Sequence, residues 1–567
     1  IQFLLLTRDI LETRVLFETR VVFISTPPYP RVLFEARVVI EAGVDFWLNS
    51  GRASIEESLK VRNIVEKAKN VIIFLGDGMS IATITASRIL KGQTANHPGE
   101  ETILSWEKFP YTGLAKTYNV DYQVPDSAGT ATAFLSGVKT RKGMINVDAS
   151  VTEGDCSGSQ GHELDTILRW SLDSGKSAGV VTTTRITHAT PAGAYASVAD
   201  RGWEGDDEMT HVQGGCKDIA RQLVEDNKDI QTTILLLLSF PNLHEQWISF
   251  ILLLITLKQC LCMLYAALNG CIYAIKSYLI LSYHNEWSIP SSLAYLELPT
   301  LNWVSRFISF LGLFGTSHLA YSYEQETHHT KDPTLAEMTE KAIQILQKNN
   351  NGFFLLVEGG NIDHAHHSGR AFDALHDTLA LEEAVAKAAS ITNEKDTLIL
   401  ATADHSHTMT MAGYPPRGTP ILGLAGKGSD SKYYTTLLYG TGPGYSSTRH
   451  DASHHHTSNI FCYFVVVEDY HQDAAVPTHV ETHGGEDVAV YARGPYAHLL
   501  TGVHEQNYLA HVMYSLESFI FIFLFIIYAR LYAPPHLVGN AILKTISTER
   551  IQNRHPRRPI SDSNGLK

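Results

Sequence analysis

Cysteine is scarce, six in 567 residues, and no Cys-x-x-Cys pair occurs. That excludes a small disulfide scaffold and a cysteine-built zinc ribbon. No Asn-x-Ser/Thr sequon is present. Positive charge is also in deficit: 45 Lys and Arg stand against 59 Asp and Glu, a formal net charge of −14. Apart from a short basic tail there is no basic patch, so no nucleic-acid partner is expected. Charged residues make up 18% of the chain and the hydrophobic set 44%. This composition excludes a wholly disordered chain and a collagen-like or coiled-coil fibre. The length allows about four domains, or one large α/β enzyme with insertions. The chain opens at Ile1, where no charged, apolar and small-residue leader can be read.

Histidine, by contrast, is plentiful, 27 residues, several beside carboxylates. Before reaching them the chain runs through a near-duplicate, RVLFETRVVF at 14–23 and RVLFEARVVI at 31–40. Two copies are too few for a solenoid. A hairpin around Pro27, Pro28 and Pro30 is one reading; a leader over residues 1–45 outside the core is the favoured one. From about Phe46 to Tyr514 the pattern is that of one α/β domain. Short β-branched runs recur at 71–75, 178–182, 353–357, 397–401, 434–439 and 488–491, with helical patterns between them, as at 335–347 and 371–389. Buried runs alternating with helices predict a large, mostly parallel sheet covered on both faces. Ligands then sit at the carboxyl ends of the strands.

Residues 232–313 break this pattern. The stretch is strongly apolar, and Lys258 is the only charge between Trp247 and Ile275, long enough for one membrane span. Both flanks belong to one domain, so a single span is excluded and a helical hairpin is not. A buried insert and a stretch foreign to the native fold compete with it. The lack of clean spans and of turn chemistry favours the last. In the final segment, 515–567, the apolar run 519–528 precedes a basic tail. It is short for a span and not placed as a glycolipid-anchor signal.

Four clusters carry chemistry. In VIIFLGDGM (71–79) Asp77 follows a strand between two glycines, the place of a metal ligand or of an ordinary turn Asp. In VPDSAGTATA (124–133) Ser127 falls at a helix start, where free N–H groups favour an anion; taken alone, an Asp/Ser N-cap is the commoner use and the favoured reading. In VEGGNIDHAHH (357–367) Glu358 ends a strand, and Asp363 and His367, spaced i, i+4, face the same way and suit zinc. His364 and His366 read as orienting groups or solvent-facing ones. In LATADHSH (400–407) Asp404 and His405 again follow a strand, with His407 behind a ligand or on the substrate side. His483 in ETHGGEDV completes the donors. His188 and Thr190 lie in VTTTRITHATP, and Arg201 follows in SVADR. An arginine fork matches phosphate; a surface salt bridge is the plainer use. His328, His329 and the trio His454–His456 read as solvated loop residues.

Together these motifs resemble the animal alkaline phosphatases, over about 46–231 and 311–514. The resemblance implies a sheet of about ten strands flanked by helices, a smaller crown lobe near 413–482, and usually a homodimer. It implies hydrolysis of phosphate monoesters of broad range, at alkaline pH, through a phosphoserine on Ser127. Asp363, His367 and His483 would hold one Zn²⁺, and Asp77, Asp404 and His405 the second, beside Ser127. Asp77, Thr190 and Glu358 would hold Mg²⁺, with His188 close by and Arg201 on the phosphate. Cys156 and Cys216 match a family disulfide, implying an oxidising compartment and an extracellular or cell-surface, membrane-associated protein. The apolar stretch stands where the family has part of a calcium site. The family's Phe-Glu pair is Phe314-Gly315 here, leaving Asp332 alone of the calcium ligands, and 454–467 departs from the crown pattern. Phosphodiesterases usually use a Thr nucleophile without a third metal, and sulfatases a modified Cys or Ser, so Ser127 with Thr190, Glu358 and Arg201 argues against both.

Overall fold

The computed structural model of the chain describes residues 14–24, 31–41, 44–226, 234–239, 277–282, 308–315, 317–328, 330, 332–448, 451–452, 456–457, 465–466 and 469–518. Two compact units divide at Asn63/Ile64. The first holds an antiparallel pair, Arg14–Ile24 with Arg31–Glu41, and a helix, Val44–Lys60. The near-duplicates thus pair with each other in register, Arg14 opposite Glu41 and Ile24 opposite Arg31. The prolines expected at the turn lie outside the described residues. The helix crosses Phe46 without a break, and the second unit begins at Ile64.

The second unit is built on a ten-stranded sheet. From one edge its order is Gly502–Glu505, Tyr111–Lys116, Val488–Arg493, Thr397–Ala403, Asn70–Gly76, Phe353–Gly359, Ser177–Arg185, Ile234–Ser239, Ile308–Gly315 and Ser277–Ser282. Val488–Arg493 pairs antiparallel with both neighbours; every other pairing is parallel. The central strands are apolar throughout because both faces are covered. Val71 to Leu75 and Phe353 to Val357 are all 0% exposed, which leaves no place for the polar alternation of a one-sided sheet. Burying each such side chain contributes roughly 1.5–3 kcal/mol.

Helices Leu335–Leu346 and Ala371–Ile391 pack against these strands. The first is started by a capping box, Thr334 with Glu337. Two expected runs change character. The 434–439 run splits into Tyr433–Thr435 and Leu437–Gly442, which join small sheets apart from the central one; Thr436 breaks the run. The apolar stretch 232–313, set apart on sequence, supplies strands at one edge of the sheet, because short Leu- and Ile-rich runs suit parallel pairing. The remainder of that stretch, including 247–275, and the run 519–528 lie outside the described residues. No helix among the described residues is long and apolar enough to cross a membrane.

Candidate active site

Four parallel strands deliver the site from their carboxyl ends. Asn70–Gly76 leads into Asp77, Phe353–Gly359 carries Glu358, Thr397–Ala403 leads into Asp404 and His405, and Ser177–Arg185 leads to His188 and Thr190. The helix Asn361–His367 follows directly and sets Asp363 and His367 one turn apart. Ser127 is the first residue of the helix Ser127–Ser136, all of it buried. The capping role falls to Asp126, whose carboxylate accepts from the amides of Ala128 and Gly129. That leaves the Ser127 hydroxyl for other work.

The donors converge. Ser127 Oγ lies 3.1 Å from His405 Nε2. The same nitrogen is 3.4 Å from Asp77 Oδ1 and 3.2 Å from Asp404 Oδ2. Asp363 Oδ1 is 3.4 Å from His367 Nε2, 3.5 Å from His483 Nε2 and 2.7 Å from His407 Nε2. Three groups gather closely enough to hold an ion: Asp363 with His367, His407 and His483; Asp77 with Asp363 and His405; Asp77 with His188 and Glu358. Arg201 donates to Asp126 at 3.2 Å and reaches His188 Nε2 at 3.3 Å. A pocket of about 400 Å³ opens over this array, lined by Ser127, His188, Arg201, Asp363, His364, His367 and His483, with Tyr321 and Ser368.

The electrostatics ask for cations. Burial, then the neighbouring carboxylates of Asp404, Asp363 and Glu358, push Asp77 well above the usual carboxylate range. Burial carries Glu358 up to about 7 and also raises Asp404. Both Asp77 oxygens, Glu358 Oε1, Thr190 Oγ1 and His188 Nδ1 are buried without a hydrogen-bond partner. Buried oxygens left so are expensive unless an ion takes them up. Carboxylate and hydroxyl oxygens suit a hard cation, and an Asp with two imidazoles suits zinc. The residues present therefore fit the divalent ions expected from the motifs.

Several placements differ from, or go beyond, the sequence reading. His366 does not face solvent: it is fully buried, between Thr83 Oγ1 at 3.0 Å and the Tyr439 hydroxyl at 2.7 Å, with its ring stacked on that of His407. His364 lines the pocket. His407 is buried between Asp363 and Glu481 and does not line the pocket. Glu481 was overlooked, yet it ties the site together. Its carboxylate bonds His407 Nδ1 and the Thr408 amide, and its carbonyl accepts from His367 Nδ1 at 2.6 Å. A glutamate two residues before His483 was the available signal. Thr182 and Thr184, which donate to Glu358, were also missed. Cys156 and Cys216 form a disulfide, Cα atoms 5.8 Å apart. Asp332 is half-buried, and burial raises its carboxyl; none of the ion-holding groups among the described residues includes it. His329, His454 and His455 lie outside the described residues, His328 caps a short helix, and His456 pairs in a two-residue strand.

A serine at a helix start, an arginine fork and clustered metal-type donors define a phosphoryl-transfer hydrolase. The alkaline phosphatase family model matches residues 68–236 and 299–519, leaving out the middle of the apolar stretch. The chain is 45% identical over 484 residues to the tissue-nonspecific alkaline phosphatase of Gallus gallus, covering 83% of this chain and 89% of that one. It is 43% identical to the Homo sapiens tissue-nonspecific isozyme, covering 82% and 87%. Among solved structures, a cold-active alkaline phosphatase of a psychrophilic Shewanella aligns with TM-score 0.52 at 22% identity, over 79% of this chain and 100% of that one. The Thermus thermophilus alkaline phosphatase aligns with TM-score 0.51 at 20% identity, over 80% and 92%, a likeness of fold. The chain belongs to the alkaline phosphatase family. It is an enzyme, a hydrolase of phosphate monoesters.

Proposed function

We propose that hydrolysis proceeds in two steps through a phosphoserine on Ser127. In the first, Ser127 Oγ attacks phosphorus in line with the ester oxygen; the P–O ester bond breaks and the alcohol leaves. In the second, water attacks the phosphoserine from the same side as the departed alcohol, freeing inorganic phosphate and restoring the hydroxyl. The observation that carries this reading is Ser127 Oγ against His405 Nε2, at the edge of the buried carboxylate and imidazole array.

Arg201, at the pocket wall, binds the phosphate oxygens that lie in the plane of the transition state, with the helix dipole behind Ser127 adding to it. Asp126 holds that guanidinium by Nη1, and Nη2 lies 3.3 Å from His188 Nε2, which fixes the fork at the pocket wall. One Zn²⁺ would be held by Asp363, His367 and His483, a second by Asp77, Asp404 and His405 within reach of Ser127, and Mg²⁺ by Asp77, Thr190 and Glu358. Such ions supply Lewis-acid charge to phosphate oxygens and lower the pKa of a bound hydroxyl or water. His407 and Glu481 hold Asp363 in place for this role. Most of the pocket wall faces the phosphate, so broad monoester specificity follows, with the alkaline optimum of the family.

The Cys156–Cys216 bridge supports an oxidising location, extracellular or at the cell surface with membrane association. A homodimer is proposed on family grounds. The test is acid-quench trapping of labelled phosphate on the full chain loaded with zinc and magnesium. The wild type carries label on Ser127 and Ser127→Ala carries none. Label retained by that variant would falsify the serine's role.

A further inference from the structure

Behind the pocket-lining imidazoles lies a third ring that the hydrolysis scheme does not use. His318 packs edge-on against His364, centroids 4.0 Å apart, and sits 5.7 Å from His188. His364 and His188, themselves 5.4 Å apart, both line the phosphate pocket; His318 does not. On its far side His318 Nε2 meets Arg185 Nη1, and the Arg185 amide lies 3.3 Å from Nδ1. Both are Arg185 donors, so the two ring nitrogens face the same residue, one through its side chain and one through its backbone. Arg185 is in turn held by Glu204 through a fork, Nε to Oε2 at 2.9 Å and Nη2 to Oε1 at 2.6 Å.

The backbone here is equally tied. The Leu319 amide donates to the Thr183 carbonyl at 2.9 Å, and Asn361 Nδ2 donates to the Leu319 carbonyl at 2.9 Å. His318 is thus anchored both to the strand that leads to His188 and to the helix that carries His364.

We infer that His318 is a positioning residue: held by the Glu204–Arg185 fork, it sets the orientation of His364 and His188 on the phosphate side of the pocket. This rests on the phosphate-pocket reading above. The reason is steric and electrostatic together. An imidazole at a pocket wall has two soft dihedrals, and a ring edge pressed against it removes most of their freedom. His364 and His188 line the pocket that would hold the phosphate of substrate and product alike. Loss of their support weakens both complexes and leaves the chemical step nearly as it was.

The test is calorimetric titration of inorganic phosphate into the full chain loaded with zinc and magnesium, for the wild type, His318→Ala and His318→Gln. The Gln variant keeps an acceptor for Arg185 and most of the buried volume, so it guards against simple misfolding. Both variants are expected to bind phosphate roughly tenfold more weakly, with KM for an aryl phosphate rising in parallel. The kcat is expected to stay within about threefold and the metal content to stay at the wild-type level. Unchanged phosphate affinity in both variants overturns the inference, as does a loss that only tracks lost metal. A wild-type chain that itself binds no phosphate overturns the pocket reading instead, and this inference with it.

Discussion

Gly78 shows how closely the backbone approaches the site. Its φ is 72°, a left-handed value, and its amide donates to Asp404 Oδ1 at 3.0 Å. A Cβ there would fall 2.3 Å from His407 Cδ2. Gly78→Ala is therefore expected to lose about 1–2 kcal/mol from the backbone alone and to displace His407 from Asp363. Thermal unfolding and zinc content together check this; a variant with normal values in both would contradict it. Glu481 acts on the same neighbourhood from the other side. Glu481→Gln should weaken zinc retention by about 10–100-fold, read by competition with a chelator, since His407 loses its charged partner. At this scale the sequence was partly legible. Asp363 and His367 announced themselves by i, i+4 spacing beside other histidines. Nothing in the spacing linked Glu481 to His407, because that contact crosses from one strand end to a distant loop.

Among elements, the end of the strand Ser177–Arg185 is pinned by the Arg185–Glu204 fork. Burial by itself would raise Glu204, but the Arg185 fork and the Thr187 hydroxyl overcome it and hold the carboxyl below the ordinary glutamate range. A depressed carboxylate stabilises the fold above its unfolded pKa, about 4.3, and that contribution is lost as pH falls through the folded value. Glu204→Gln is thus expected to lose about 1.5–3 kcal/mol at pH 7, with the gap to wild type closing below pH ~4. Denaturant melts across that range measure it; a gap independent of pH would count against the fork. The strands themselves were legible because five buried runs, such as 71–75 and 353–357, are apolar on both faces. Tyr111–Lys116 escaped notice, since its partly buried alternation is weak, and Gly502–Glu505 is short and largely polar.

Over the whole molecule, one covalent device adds to the apolar packing. The Cys156–Cys216 bridge closes a loop of sequence separation 60, and its reduction should lower stability by about 2–4 kcal/mol. The readout is the unfolding midpoint with and without reductant under otherwise equal conditions. Divalent ions taken up by the buried carboxylates would bind only the folded chain, so chelation should lower the melting midpoint as well as remove turnover. Re-addition of zinc and magnesium should restore both. A chelator-insensitive midpoint would mean the Asp77 and Glu358 oxygens find other partners.

Periodicity was enough to determine the α/β class, and the ordered motifs, through their resemblance, pointed to the family and the candidate donors. Apart from His483, the candidate donors sit at or just past a strand's carboxyl end or in the short helix that follows it, and buried parallel strands carry an unmistakable apolar run. What only the tertiary structure decided is how those donors meet: which imidazole backs which carboxylate, that Asp126 caps and frees Ser127, and that His318 lies behind His364. It also decided that pieces of the apolar stretch join the sheet edge. The reason is range. Contacts such as Asp363 with His407, Ser127 with His405 and His407 with Glu481 span long sequence separations, and they exist only once parallel strands bring their carboxyl ends together.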